Sequence, residues 1–416
     1  MIYKEPLDLH RRNLPRGEVE FIKELLGLMK SGTGFYVKRS VKKYKDLSVG
    51  VQIRKENIVG LNLYRGGKGC LSDLEESYSP YRITIEDYKL TALPQSIGNL
   101  KLLEYLDLAD NKLTTLPDSF CELEALKFLD LSDNELEQLP KCFGALKSLE
   151  YLYLDHNKLI NLPQSFGSLT SLKKFRAFSN ELETLPESFT ELKTLKEVHL
   201  GSNRLETLPK SINKLESLQY LDLIGNQLTN LPESIGNMKS LKTLFLTGNK
   251  LKMLPESLDS LTSLKWLEIG SNKLTSLPES IGSLPLHNLH FNKNNIVHLP
   301  KSLTKLSNLL NIGAEKNPLD ANSKRILNEL KNQMELRRRE RILEPDIITG
   351  LGPIYIKKLN TIFGINTLND LIMSDPDVIA EKIKRVSPEK AKKWISYAKK
   401  LVNVSLKSEP DLIIWW

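Results

Sequence analysis

Along the middle of the chain, apolar and polar positions recur with a fixed step. The segment Leu103-Glu104-Tyr105-Leu106-Asp107-Leu108-Ala109-Asp110-Asn111-Lys112-Leu113 reads LxxLxLxxNxL. The same pattern restarts at Leu126, Leu149, Leu172, Leu195, Leu218, Leu241, Leu264, Leu286 and Leu309. The step is 23 residues, with one step of 22 between Leu264 and Leu286. Alternation within LxL predicts a short strand with its leucines on one face. A Leu-Pro pair follows nine of the ten units, from Leu116-Pro117 to Leu299-Pro300. Proline ends the extended stretch and suits the first position of a helical turn. Self-similarity at this period marks a solenoid in which each coil is stable only against its neighbours.

Ten asparagines hold the register: Asn111, Asn134, Asn157, Asn180, Asn203, Asn226, Asn249, Asn272, Asn294 and Asn317. They fall where the chain leaves the strand. Their amides are expected to bond backbone groups of adjacent coils that would otherwise be buried unpaired. Upstream, Ile83-Thr84-Ile85 to Leu93-Pro94 fits the register as a further coil with Tyr88 in place of asparagine, and the stretch from Ile58 to Leu63 reads as a degenerate one. Val19, Phe21, Ile22, Leu25, Leu26 and Met29 have helical spacing and predict an amphipathic cap helix. Strands are expected near Phe35–Val37 and Val49–Ile53. Past Asn317, the stretch Asp320–Leu343 reads as a helix. The division is a cap at 1–34, a solenoid at 35–322, a linker helix at 323–345, a small domain at 346–404 and an apolar tail at 405–416.

The LxxLxLxxNxL units and the Leu-Pro-x-Ser-Ile/Phe-Gly-x-Leu segments beginning at Pro94, Pro163 and Pro232 resemble the leucine-rich repeat family, in its intracellular Ras-group or Ras-suppressor-like subtype. The resemblance covers roughly residues 51–322. It implies an α/β right-handed horseshoe with a parallel sheet on the concave face, and Ras-type small GTPases or their regulators as partners.

On such a sheet, the third and fifth positions of each unit face the hollow. One cluster there is Tyr105, Asp107, Phe128, Asp130, Tyr151 and Tyr153, with Asp133 and Asp155 nearby. A second is Tyr220, Asp222, Phe245, Trp266 and Glu268. Between them lies a cationic band of Lys173, Lys174, Arg176, Lys196 and Arg204, with His199 beside it. Exposed aromatics mark interface centres. The acidic columns suggest a protein partner with a basic patch. Strands about 4.8 Å apart give ten coils an arc of roughly 45 Å, which suits an interface of about 800 Å² per partner.

Residues 346–402 differ in character. The run from Ile348 to Leu359 resembles a helix-hairpin-helix motif, through Gly350 and Gly352 before a helix carrying Lys357 and Lys358. A second, degenerate hairpin at Val386-Ser387-Pro388 has Arg385 where the family has glycine, and Ile356 stands where it has alanine. The resemblance implies contacts to nucleic-acid phosphates, with backbone amides at the helix start facing the anion and Lys382, Lys384, Lys390, Lys392 and Lys393 extending the charge. A docking module for protein is equally consistent with these residues. The tail, Leu412-Ile413-Ile414-Trp415-Trp416, either folds back or serves as a linear motif.

Charge supports this division. Of the net +8, residues 1–78 carry +5, residues 79–322 carry −3 and residues 323–416 carry +6. The solenoid needs no polyanion, whereas the C-terminal part has the charge for one. No apolar run approaches the roughly 20 residues needed to span a bilayer, and Met1–Glu5 lacks the apolar start of a secretory signal. A cytoplasmic protein with no membrane contact is expected. Three cysteines, Cys70, Cys121 and Cys142, form no C-x-x-C pair; they read as lone buried thiols in a reducing compartment. There is no P-loop, dinucleotide glycine loop, G-x-S-x-G, H-E-x-x-H or kinase signature. His287 and His290 lack a third ligand for a metal. The sequence reads as a non-enzymatic adaptor without a cofactor, with a DNA-tethered recognition protein as the alternative.

Overall fold

A computed structural model describes residues 16–28, 36–39, 50–54, 57–62, 81–84, 90–340, 376–383 and 386–403, with positions 359, 371 and 374. Helix α1 (Arg16–Leu28) is followed by strands β1 (Tyr36–Arg39), β2 (Gly50–Arg54), β3 (Asn57–Asn62) and β4 (Tyr81–Thr84). Ten three-residue strands then recur once per unit: β5 (Tyr105–Asp107), β6 (Phe128–Asp130), β7 (Tyr151–Tyr153), β8 (Lys174–Arg176), β9 (Glu197–His199), β10 (Tyr220–Asp222), β11 (Thr243–Phe245), β12 (Trp266–Glu268), β13 (Asn288–His290) and β14 (Asn311–Gly313). They form one parallel sheet in chain order, with like positions paired, as in Leu106 opposite Leu129.

Each coil returns on the far side through a short 3-10 turn, such as Asp118–Glu122, Gln164–Ser168 or Glu233–Asn237. The proline before each of these turns is extended, and its carbonyl accepts the first turn bond, as in Phe166 N–H to Pro163 at 2.9 Å. Between sheet and turns lies one continuous apolar core running from Phe21 to Met334. Phe120, Phe143, Phe166 and Phe189 form a near-parallel ring column inside it, with centroids 6.4, 6.4 and 6.0 Å apart.

The asparagines perform the expected task. In Asn134, Nδ2 donates to Leu108 O of the previous coil at 2.9 Å and to Leu131 O of its own at 3.0 Å, while Oδ1 accepts from Leu113 N–H at 3.0 Å. The preceding residue of nearly every unit is left-handed, with φ from 51° to 58° at Asp110, Asp133, His156, Ser179, Ser202, Ser271, Lys293 and Lys316. Two coils place Gly225 and Gly248 there, at 66° and 75°, where glycine removes the strain.

The ends differ from expectation at one point. Strand β4, which holds Ile83 and Thr84, pairs antiparallel with β1 in a separate two-stranded sheet. It does not form a solenoid strand; β3 takes the place beside β5 instead, with Leu61 opposite Leu106. The register position for asparagine in that unit is Tyr88, which has no amide to tie the turn to its neighbours. The β2–β3 antiparallel hairpin then closes the sheet edge. Helix α1 covers the first 3-10 turn, burying Phe21 and Leu25, and its Glu24 carboxylate accepts a hydrogen bond from the Ser96 hydroxyl.

At the other end, helix α2 (Ala321–Glu340) packs on the last 3-10 turn through Ile326, Leu330 and Met334. Asp320 caps it by accepting from Ser323 N–H at 2.7 Å, while Ser323 Oγ accepts from Leu299 N–H at 2.8 Å. The segment read as a linker is therefore also the cap of the stack. Beyond it, α3 (Pro376–Lys382) and α4 (Pro388–Asn403) pack on each other and α4 touches α2. Leu359, Leu371, Ile379, Ile383, Ala391 and Trp394 are buried there.

The cysteine reading is corrected. Cys121 and Cys142 are joined by a disulfide between adjacent coils, with Cα atoms 5.9 Å apart. Both lie on the helical side of their coils, as expected. Their spacing of 21 residues brings them face to face, a geometry that C-x-x-C counting does not register. Cys70 and the apolar tail lie outside the described residues.

Candidate functional site: the concave sheet

Strand alternation sends the fourth-position leucines into the core and the third and fifth positions into the hollow. The hollow is lined unevenly. In the first cluster, Tyr105 stacks on Phe128 at 4.6 Å between centroids and 8° between planes. Phe128 meets Tyr153 edge-on at 5.3 Å and lies 6.5 Å from Tyr151. Arg176 and Lys174 lie over the Tyr153 ring at 5.5 and 6.0 Å. As a result Phe128 is only 3% exposed and Tyr153 only 1%. Tyr105 and Tyr151 are the half-buried rings of this cluster.

The fifth-position aspartates also turn inward. Asp107 accepts from Ala109 N–H at 3.1 Å, Asp130 from Ser132 N–H at 2.9 Å and Asp222 from Ile224 N–H at 2.9 Å. Each closes the turn that leaves its strand. Asp107 and Asp130 are buried, so they support the sheet rather than stand open to a partner. Burial, and secondarily the Asp155 charge, pushes the Asp130 carboxyl up to about 6. Asp155 receives Arg176 through two nitrogens at 2.7 Å and accepts from Phe178 N–H at 2.8 Å.

The cationic band is largely neutralised. Lys174 lies 3.2 Å and His199 Nε2 3.9 Å from the Glu197 carboxylate, the latter beyond hydrogen-bond range. The nearby His199 ring and the Lys174 ammonium hold the Glu197 carboxyl below the usual carboxylate range, and the 3.2 Å lysine contact is the firmer of the two causes. Lys173 pairs with Glu150 at 2.6 Å and Arg204 with Glu181 at 3.0 Å.

The second cluster stays open. His199 lies 4.6 Å from the Tyr220 ring. Tyr220 meets Phe245 edge-on at 5.5 Å, and Phe245 meets Trp266 edge-on at 5.4 Å. All four rings are half-buried. Trp266 Nε1 donates to Glu268 at 2.9 Å, and Glu268 lies 3.5 Å from His290. Burial and the charges of Asp222, Glu268 and Glu197 raise the Tyr220 phenol. Burial also raises the Asp222 carboxyl. Two further rings beside the sheet were not singled out from the sequence: Phe178 and His156, in edge contact at 5.5 Å in the turns that leave β8 and β7. Their signal is position, because Phe178 is two residues beyond Arg176 and falls at the seventh place of the unit.

Among the described residues, no three His, Cys, Asp or Glu side chains come together as a metal site. No described helix is long and apolar enough to cross a membrane. Gly350, Gly352, Lys357, Lys358 and Arg385 lie outside the described residues. Of the second hairpin, α4 is seen: Ser387 Oγ accepts from Lys390 N–H at 3.2 Å, capping the helix ahead of Pro388. Lys390 lies 5.5 Å over the buried Trp394 ring, and Lys392 and Lys393 are exposed.

Residues 81–153 and 191–272 match the leucine-rich repeat region profile, and residues 148–169 and 263–284 match the leucine-rich repeat profile. The solenoid is a leucine-rich repeat fold. Residues 343–400 match a SAM-like helix-hairpin-helix tandem. No curated protein matches the chain significantly. Among solved structures, a leucine-rich repeat protein of Leptospira interrogans is 30% identical, over 59% of this chain and 80% of that one, with a TM-score of 0.43. The Toll–Spätzle complex of Drosophila is 27% identical over 59% of this chain and 34% of that one, at 0.50. The leucine-rich repeat ectodomain of the Arabidopsis thaliana receptor kinase GASSHO1/SCHENGEN3, in complex with CASPARIAN STRIP INTEGRITY FACTOR 2, is 24% identical over 68% and 39%, at 0.52. The chain thus spans less than half the length of these last two matched chains. The leucine-rich repeat fold serves many functions, so its presence alone does not name a partner.

Proposed function

We propose that this leucine-rich repeat protein is a non-enzymatic scaffold that holds a protein partner in the hollow of its sheet. The observation that carries the reading is the run Tyr220–Phe245–Trp266, three half-buried rings in edge contact on three successive strands. Such rings supply large contact area at low entropic cost and are enriched at interface centres. Tyr105 and Tyr151 add two more at the N-terminal half. The Ras-group resemblance implies a Ras-type GTPase or its regulator as that partner, in signalling, only for a protein in the reducing cytosol, where the Cys121–Cys142 bond would be open. The C-terminal module supplies a second contact, and linking two contacts raises effective concentration. The test replaces Tyr151 and Trp266 by Ala. Partner binding is expected to weaken at least tenfold while the melting temperature holds; unchanged binding would count against the surface.

One observation favours a second contact with nucleic acid: the helix-hairpin-helix tandem match at 343–400, with Lys392 and Lys393 exposed on α4. In this reading the module grips phosphates and the bound strength falls steeply with salt. A gel shift with the full chain at low salt is expected; none at low salt leaves the module to protein contacts.

A further inference from the structure

Beyond the concave face, the disulfide occupies two positions whose role the other coils define. In five units a glycine of the 3-10 turn, at 98, 144, 167, 236 or 282, lies against a serine of the next coil, at 119, 165, 188, 257 or 302. A Cβ built on any of these glycines would stand 1.8–2.7 Å from the serine carbonyl oxygen and 2.6–3.0 Å from the serine Cβ. Adjacent backbones are thus nearly in contact at this pair of positions. In one pair of coils both positions change together: Cys121 stands in the glycine column and Cys142 in the serine column, 21 residues on, as Ser165 is from Gly144. Thr190 also occupies the glycine column, buried, with its hydroxyl donating to Glu187 O at 2.8 Å. The column therefore admits a side chain without a cross-link, and the bond between Cys121 and Cys142 is not forced by space alone.

We infer that the Cys121–Cys142 bond is a built cross-link that ties neighbouring coils, and that the protein carries it in an oxidising compartment. The Cα separation of 5.9 Å falls in the usual range for a disulfide. Such bonds persist where the surroundings are oxidising and are kept open by thiol reductants in the cytosol. The expected cytoplasmic address rested on the Met1–Glu5 start, and the lone thiols read as agreeing with it; two of those three are paired. The chemistry is thiol–disulfide exchange. A disulfide donor accepts attack by one cysteine thiolate and loses its first sulfur as a thiol; the second cysteine then displaces the other, giving one protein S–S bond and two donor thiols. In reverse, an incoming thiolate attacks the Sγ of Cys142, the less buried of the two residues. The electron pair of the broken bond goes to Cys121 Sγ, which takes up a proton, and a second thiol releases Cys142.

The test quenches cells of the natural source with acid and labels free thiols of the full chain with a maleimide. One label, on Cys70, is expected before reduction and three after it, and a non-reducing digest yields the peptides of Cys121 and Cys142 joined. Three labels before reduction, or a bond to Cys70 instead, would overturn the inference. A second measurement separates the bond from the side chains. Cys121→Gly with Cys142→Ser restores the pattern of the other coils. The native protein is expected to lose several degrees of melting temperature in dithiothreitol, and this variant none. A native melting curve unmoved by complete reduction would contradict a cross-linking role.

Discussion

Asn157 donates from Nδ2 to the carbonyl of Leu131, 26 residues earlier, at 2.9 Å. The same amide donates to Leu154 O at 3.1 Å, and its oxygen accepts from Leu136 N–H at 3.0 Å. One buried side chain therefore satisfies backbone groups of two coils. Asn157→Ala removes these partners and leaves the Leu136 amide buried and unpaired. Each orphaned buried group costs about 1–3 kcal/mol. A loss of about 2–4 kcal/mol is expected in urea unfolding. A loss below about 0.5 kcal/mol would mean that the ladder does not hold the coils.

Close approach on the helical side makes a different prediction. A Cβ on Gly167 would lie 1.9 Å from Ser188 O and 2.5 Å from its carbonyl carbon, both backbone atoms. Gly167→Ala must spread two coils, and such overpacking costs about 1–3 kcal/mol. At Gly313 the nearest obstacle is the movable His290 ring, at 3.1 Å. Gly313→Ala is expected to cost less, and equal losses in thermal unfolding would contradict the role given to the glycine column.

Asp130 predicts a pH effect of unusual sign for a carboxylate. Its folded value of about 6 lies above the unfolded 3.8, because burial and Asp155 disfavour the charge. The neutral form therefore stabilises the fold fully below about pH 4, and that contribution is lost as pH rises through 6. Asn at this position can still accept the Ser132 N–H. Asp130→Asn is expected to gain roughly 1–3 kcal/mol over the native protein at pH 7, with the gain vanishing near pH 4. A difference independent of pH between 4 and 7 would contradict the burial argument.

Much of the fold was legible because it is periodic. LxxLxLxxNxL fixes the strand, the turn and the ladder amide at once, so β5 to β14 follow from counting. What counting missed came from contacts outside the period. Ile83 and Thr84 fit the register, yet they pair with β1; in sequence, the asparagine position of that unit is Tyr88, whose side chain carries no amide. The 21-residue spacing of Cys121 and Cys142 was visible, but its meaning depended on knowing that the glycine and serine columns touch. Within the hollow, sequence position told which residues face it and not which stay open. Phe128 and Tyr153 are covered by neighbours of their own cluster, and Asp107 and Asp130 are spent on their own backbone. Side-chain reach across strands decided that outcome, and reach is not encoded in the repeat.

Site-specific photocrosslinking tests the scaffold reading most directly. A benzophenone amino acid is placed at Phe245, within the open ring run, and separately at Met253, which is 68% exposed between the Asn249 turn and Pro255 and off the sheet. Irradiation in the native source is expected to yield one discrete protein adduct from position 245 and none of that mass from position 253. Equal adducts from both positions, or none from 245 beside a strong one from 253, would place the partner outside the hollow.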